Sequence, residues 1–139
     1  MGRKIALDFG LKRTGIAITD ANNIIASGLT TVESENLMHF LEKLIPTEKV
    51  DTIVLGFPRR LNTEDAHITQ NVLLLEEALK KKFPQCLVTL LDERFTSKIA
   101  SQAISQSGMN KKKRQNKALI DEVSATIILQ DYLSQCQNR

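Results

Sequence analysis

Two short apolar runs, Ile5-Ala6-Leu7 and Ile16-Ala17-Ile18, stand on either side of a glycine- and cation-rich link, Gly10-Leu11-Lys12-Arg13-Thr14-Gly15. Runs this short, punctuated by glycine, read as strands, and so brief a link makes them antiparallel neighbours in a hairpin that opens the fold. Asp8 breaks the pattern. It follows Ile5-Ala6-Leu7 directly, where a buried strand is expected, and an ionised carboxylate is costly there unless it is paired or bound to a metal. Two readings stay open at this point. Asp8 ends the strand and accepts hydrogen bonds from the Gly10 turn, or it faces a divalent metal shared with a phosphate that Lys12 and Arg13 also meet.

Further along, Asp20-Ala21-Asn22-Asn23 supplies a tight turn, and residues 24–32 read as a third strand interrupted at Gly28. At Ser34 the period changes. Leu37, Phe40, Leu41, Leu44 and Ile45 follow helical spacing, with Ser34 or its acidic neighbours as the start and Pro46 as the stop. His39 belongs to the surface of that helix. Residues 52–58 form an apolar run closed by Gly56 and Pro58, a strand covered on both faces. The polar stretch 59–65 leads into a helix carrying Ile68, Val72, Leu75, Ala78 and Leu79, with His67 near its start as a capping or exposed residue. Arg59 and Arg60 lie where open α/β sheets meet their ligands, although each is also at home in a solvated turn.

Residues 87–91 form another short strand, which runs into Asp92-Glu93-Arg94. Alternation sends the two acids to opposite faces without saying which one matters. A helix through Ile99, Ala103 and Ile104 is expected next, capped by Thr96 or Ser97 and ended by Gly108, then a basic loop over 109–117 and a last helix from about 118 to the Ser134 region. In that helix Asp121, Ala125, Ile128 and Tyr132 share one stripe with Ser124 beside it, so Asp121 faces inward, whereas Glu122 and Asp131 are expected to face solvent. No repeat or linker divides the chain. The expectation is a single α/β domain over residues 1–139, with three antiparallel strands followed by two parallel ones and helices flanking the sheet.

Charge adds direction. Residues 94–117 hold Arg94, Lys98, Lys111, Lys112, Lys113, Arg114 and Lys117 with no acid, while the whole chain is only +3, so a basic segment sits on an otherwise acidic body. That is the pattern of a protein that holds a polyanion at one place, although a run such as 111–114 taken alone is ordinarily just solvated. With one Tyr and no Trp, a base-stacking platform is not expected. Cys86 and Cys136 lack metal-ligand spacing, which argues against a zinc site or a disulfide framework. The N-terminus leads straight into a strand and no apolar run is long enough for a membrane span, so a cytoplasmic protein with no membrane partner is expected.

The chain therefore offers one carboxylate on its first strand, one at the end of its last strand and one on the inner face of its last helix. If the first strand is central, the three converge. Such a cluster, without histidine or cysteine, suits hard divalent ions, Mg²⁺ or Mn²⁺, which support in-line phosphodiester displacement.

Four segments carry a family resemblance: residues 7–17, Leu7-Asp8-Phe9-Gly10-Leu11-Lys12-Arg13-Thr14-Gly15-Ile16-Ala17; Val54-Leu55-Gly56-Phe57-Pro58; Asp92-Glu93-Arg94-Phe95-Thr96; and Asp121-Glu122-Val123-Ser124-Ala125 with residues 128–133. The chain resembles the YqgF family, also called RuvX, of Holliday junction resolvase-like nucleases with an RNase H-like fold. The resemblance implies a β-β-β-α-β-α-β-α core and catalytic, metal-holding acids at Asp8, Glu93 and Asp121; the choice of Glu93 over Asp92 comes from it. It also implies 5′-end maturation of 16S ribosomal RNA, hence pre-rRNA and ribosomal particles as partners, with branched DNA as the alternative. In this reading Asp8 bridges the metals while Glu93 and Asp121 complete their shell. Lys12, Arg13, Arg94, Lys111, Lys112, Lys113 and Arg114 would bind flanking phosphates. The chain departs from the family pattern of Pro-Leu-Asn followed by Asp-Gly at Pro58-Arg59-Arg60-Leu61-Asn62-Thr63-Glu64-Asp65, two residues longer before the Asn and without the Gly.

Rival classes are an actin-like ATPase, which would need a second related domain, and a non-catalytic RNA-binding assembly factor, which would not need the acids. A monomer and a homodimer are both compatible with the sequence, and a two-fold junction would favour the dimer.

Overall fold

β1 (Arg3–Phe9) runs through the middle of a five-stranded sheet, and its composition shows why. Ile5, Ala6 and Leu7 are all fully buried, so the strand is covered on both faces, the condition that favours an unbroken apolar run. In the computed structural model, which describes residues 2–57, 63–92 and 117–137, β1 pairs antiparallel with β2 (Arg13–Thr19), and β2 pairs antiparallel with β3 (Ala26–Glu33). On the other side β1 pairs parallel with β4 (Val50–Phe57), and β4 pairs parallel with β5 (Leu87–Asp92). The order β3-β2-β1-β4-β5 is the expected one, with three antiparallel strands and then two parallel ones.

Alternation along β1 splits the core in two. Ile5 and Leu7, with Ile16, Ile53 and Leu55, face α1 (Leu37–Glu48) and α2 (Thr63–Lys82), which contribute Leu37, Leu41, Ile45, Val72 and Leu79. Ala6, Ala17, Ala26, Val54 and Leu91 face the other way, toward Ala125, Ile128, Leu129 and Leu133 of α3 (Lys117–Gln137). The second face is built largely from alanine, and a helix rides close over so flat a surface.

Three local expectations need correction. The third strand begins at Ala26, not at 24, because the two Ile24 and Ile25 amides are taken by the Asp20 carboxylate in the preceding turn (2.7 and 3.0 Å). Pro46 does not stop the first helix. It lies inside α1, whose end is set at Lys49 in the left-handed region (φ 54°), where the Lys49 amide donates to the Ile45 carbonyl. A proline near a helix end forfeits one backbone bond, and its φ is already helical. Ser34 starts the helical segment only as a 3₁₀ turn, Ser34–Asn36, with α1 proper beginning at Leu37, and the Ser34 hydroxyl is used elsewhere.

Candidate active site

The site is built on a glycine. Asp8 lies directly across from Gly15 in the β1–β2 pairing, two positions from Ala6 and so on the α3 face of the sheet. A Cβ on Gly15 would collide with the backbone carbonyl of Asp121 and come to 2.9 Å from the Asp121 Cβ. The first turns of α3 therefore rest on the bare backbone of β2. Asp8 and Asp121, 113 positions apart in sequence, flank the same glycine. A glycine inside a strand marks such a close approach, so this signal was available in the sequence. The expected stripe of α3 also holds: Ala125 and Ile128 are buried, Ser124 is completely so, and Asp121 is half-buried. The Ser124 Oγ has no hydrogen-bond partner among the described residues.

Arg13 sits at the start of β2 on the same face and lies against Asp121, with Nε 3.4 Å from Oδ2. Both side chains are part-exposed, so this pair contributes about 0–1 kcal/mol to stability. Its significance is positional. Arg13, expected on a phosphate, already touches one of the acids, and Lys12 stands exposed beside it.

Glu122 departs from expectation. It does not point freely to solvent: its Cβ lies 3.4 Å from where a Cβ on Gly28 would stand, so it packs over β3, and burial pushes its carboxyl above the ordinary value of 4.5. Because the unfolded chain gives up this proton first as pH rises, the folded state loses stability as pH climbs from 4.5 through the folded value. Glu122→Gln should therefore raise the melting temperature above that range. The gain should vanish below about pH 4.5, where both states are protonated. Thermal melts of both proteins across pH 4–8 check this.

Several expected participants lie outside the described residues: Glu93, Arg94, Lys111, Lys112, Lys113 and Arg114, together with Arg59, Arg60 and the expected helix after Thr96. Among the described residues no three metal-ligating side chains cluster. Asp8 and Asp121 provide carboxylate oxygens, hard donors that fit Mg²⁺ or Mn²⁺ rather than zinc. Also among the described residues, no helix is long and apolar enough to cross a membrane.

Comparison with known proteins gives the family and the fold. The family model for RuvX, described as Holliday junction resolvase, matches residues 2–135. A protein of Flavobacterium psychrophilum is 50% identical over 134 residues, covering 96% of this chain and 98% of its own length. One of Phocaeicola vulgatus is 48% identical over 133 residues, 96% of each chain. Both carry the provisional name pre-16S rRNA nuclease. Among solved structures, Thermus thermophilus RuvC in complex with a Holliday junction superposes with a TM-score of 0.62 at 10% identity, over 99% of this chain and 97% of RuvC. Fowlpox virus resolvase with Holliday junction DNA gives 0.56 at 14% identity, over 96% and 98%. At such low identity these two show the fold, which is the RNase H-like fold of the resolvases.

Proposed function

The chain belongs to the RuvX family, and from that premise we propose that it is a metal-dependent nuclease that processes the 5′ end of pre-16S ribosomal RNA, with Asp8, Glu93 and Asp121 as its catalytic acids. One observation carries the reading: Gly15 lets α3 settle so close to β2 that Asp121 stands beside Asp8. Glu93 lies outside the described residues, one position beyond the end of β5 at Asp92, and enters through the family resemblance. The whole of 1–139 then serves as one nuclease domain acting in the cytoplasm on nucleic acid in ribosomal particles.

Asp8, held on the rigid central strand, and Asp121, held on a docked helix, would bind Mg²⁺ or Mn²⁺ with Glu93. The metal supplies charge neutralisation at the phosphate and a more acidic water. The protein's own contribution is placement: β1 and α3 bring Asp8 and Asp121 to either side of Gly15, while Lys12 and Arg13 on the adjoining turn would attract the flanking backbone. Arg13, resting on Asp121, is poised to exchange that carboxylate for a phosphate oxygen. Arg94 and Lys111 to Arg114, which lie outside the described residues, would add further phosphate contacts.

Cleavage of a labelled ribosomal leader RNA and of a four-way DNA junction, each with Mg²⁺ and Mn²⁺, separates the substrate classes. The reading expects metal-dependent cutting of the RNA. Cutting of the junction alone would favour the activity named in the family's description, and binding without cutting would favour an assembly factor. Because binding rests on phosphate contacts, log affinity for single-stranded RNA should fall with log salt at a slope steeper than about −3, approaching −5 if all seven proposed cations engage, at roughly 0.7 per contact. Fluorescence anisotropy between 50 and 300 mM salt measures it, and a flat response would overturn the phosphate assignments.

A further inference from the structure

The turn that carries Leu11, Lys12 and Arg13 is braced from outside the hairpin by one residue. The Ser34 amide donates to the Lys12 carbonyl (2.9 Å), and the Ser34 Oγ donates to the Gly10 carbonyl (2.6 Å). A hydroxyl has a single proton. The 2.9 Å contact between Ser34 Oγ and the buried Thr14 Oγ1 must then run the other way, with Thr14 donating. The Gly10 amide closes the turn onto the Arg13 carbonyl (2.9 Å). One serine at the junction of β3 and α1 thus ties down both ends of the turn from 20 to 24 positions away. Its bonds leave the Lys12 side chain exposed and the Arg13 guanidinium on Asp121.

A hairpin turn closed only by its own backbone samples several shapes. A brace costs nothing at the moment of binding and removes part of the ordering that binding would otherwise require. Ser34 meets the turn through its amide and its hydroxyl, and no helix needs it as a cap. Its one evident use is to hold this segment.

We propose that Ser34 is a positioning residue for substrate: it fixes the 10–13 turn so that Lys12 and Arg13 meet the phosphates on either side of the bond to be cut. The inference rests on the nuclease reading and adds to it a residue outside the three acids. Ser34 touches neither the scissile phosphate nor the acids, so its removal should act on KM and not on kcat.

The test compares wild type, Ser34→Ala and Ser34→Thr for cleavage kinetics on single-stranded leader RNA. It also compares their RNA affinity in an Asp8→Asn background, in which cutting is blocked. Ser34→Ala should raise both KM and the dissociation constant roughly 3- to 10-fold, the worth of a hydrogen bond or so, with kcat within about twofold. Ser34→Thr, which keeps the hydroxyl, should restore most of the loss. Combined with Lys12→Ala, the Ser34→Ala effect should shrink, because the brace then has less to position. An unchanged KM with only a lower melting temperature would make Ser34 a structural residue and overturn the inference while leaving the nuclease intact. If Ser34→Ala fails to fold, Thr14→Ser and Thr14→Val repeat the comparison through the other hydroxyl, and equal KM for those two would also overturn it. Wild type that neither binds nor cuts RNA would overturn the nuclease reading itself, and the inference with it.

Discussion

Asp8→Asn is expected to lower the cleavage rate by on the order of 10³-fold or more while leaving RNA affinity unchanged or slightly improved. The substitution keeps the size of the side chain on β1 and removes only its charge, so the sheet around it has no reason to rearrange. What disappears is the fixed negative oxygen pair that a divalent ion requires. Affinity should not suffer, because the backbone of the substrate is itself anionic and one repulsive charge has been removed. Single-turnover kinetics alongside anisotropy separate the two effects. An Asp8→Asn protein that cuts at the wild-type rate would show that the carboxylate merely ends its strand.

Gly15→Ala should do comparable damage by a different route. The added methyl meets the backbone of Asp121, not the yielding end of a side chain, so α3 has to lift. That helix covers Ala6, Ala17, Ala26, Val54 and Leu91. Lifting it is expected to cost about 1–3 kcal/mol or more, as overpacking of a tight interface does. It also carries Asp121 away from Asp8, and a shift of about 1 Å in a reacting group is worth on the order of 10²-fold in rate. Gly28 provides the control under the same helix. A Cβ there would meet the Thr126 Oγ1 at 3.3 Å and the Glu122 Cβ at 3.4 Å, which asks for a shift of a few tenths of an ångström and not for the displacement of backbone. Gly28→Ala should therefore stay close to wild type in melting temperature and in rate. Equal behaviour of the two alanine variants would contradict the view that α3 is seated on Gly15.

The contrast between these two glycines shows which parts of the molecule are legible in a sequence. Asp8 was readable because a charge inside an apolar run is a local anomaly, and the inward face of Asp121 followed from helical period alone. The order of the sheet followed from the change of period after the third strand. Other features depend on contacts across the fold. Ser34 reads as a helix start by local rules; its partners, Gly10, Lys12 and Thr14, lie a hairpin away. Glu122 looks solvent-facing beside Asp121 until β3 is placed beneath it. Pro46 reads as a stop because the local rule weighs its missing amide and not the Lys49 closure beyond it. Choosing between Asp92 and Glu93 was likewise beyond alternation alone, since alternation separates the two acids without saying which side α3 covers.

Asp8 and Asp121 are proposed to form one divalent-metal site across Gly15. Mn²⁺ binding, followed by electron paramagnetic resonance in the presence of a non-cleavable single-stranded RNA, tests it most directly, with wild type, Asp8→Asn and Asp121→Asn compared at equal concentration. The prediction is that wild type binds and that each single substitution weakens binding by more than the roughly 10–100-fold that loss of a ligand's outer partner costs. Equal Mn²⁺ affinity in all three proteins would contradict the site, however well the wild type cuts RNA.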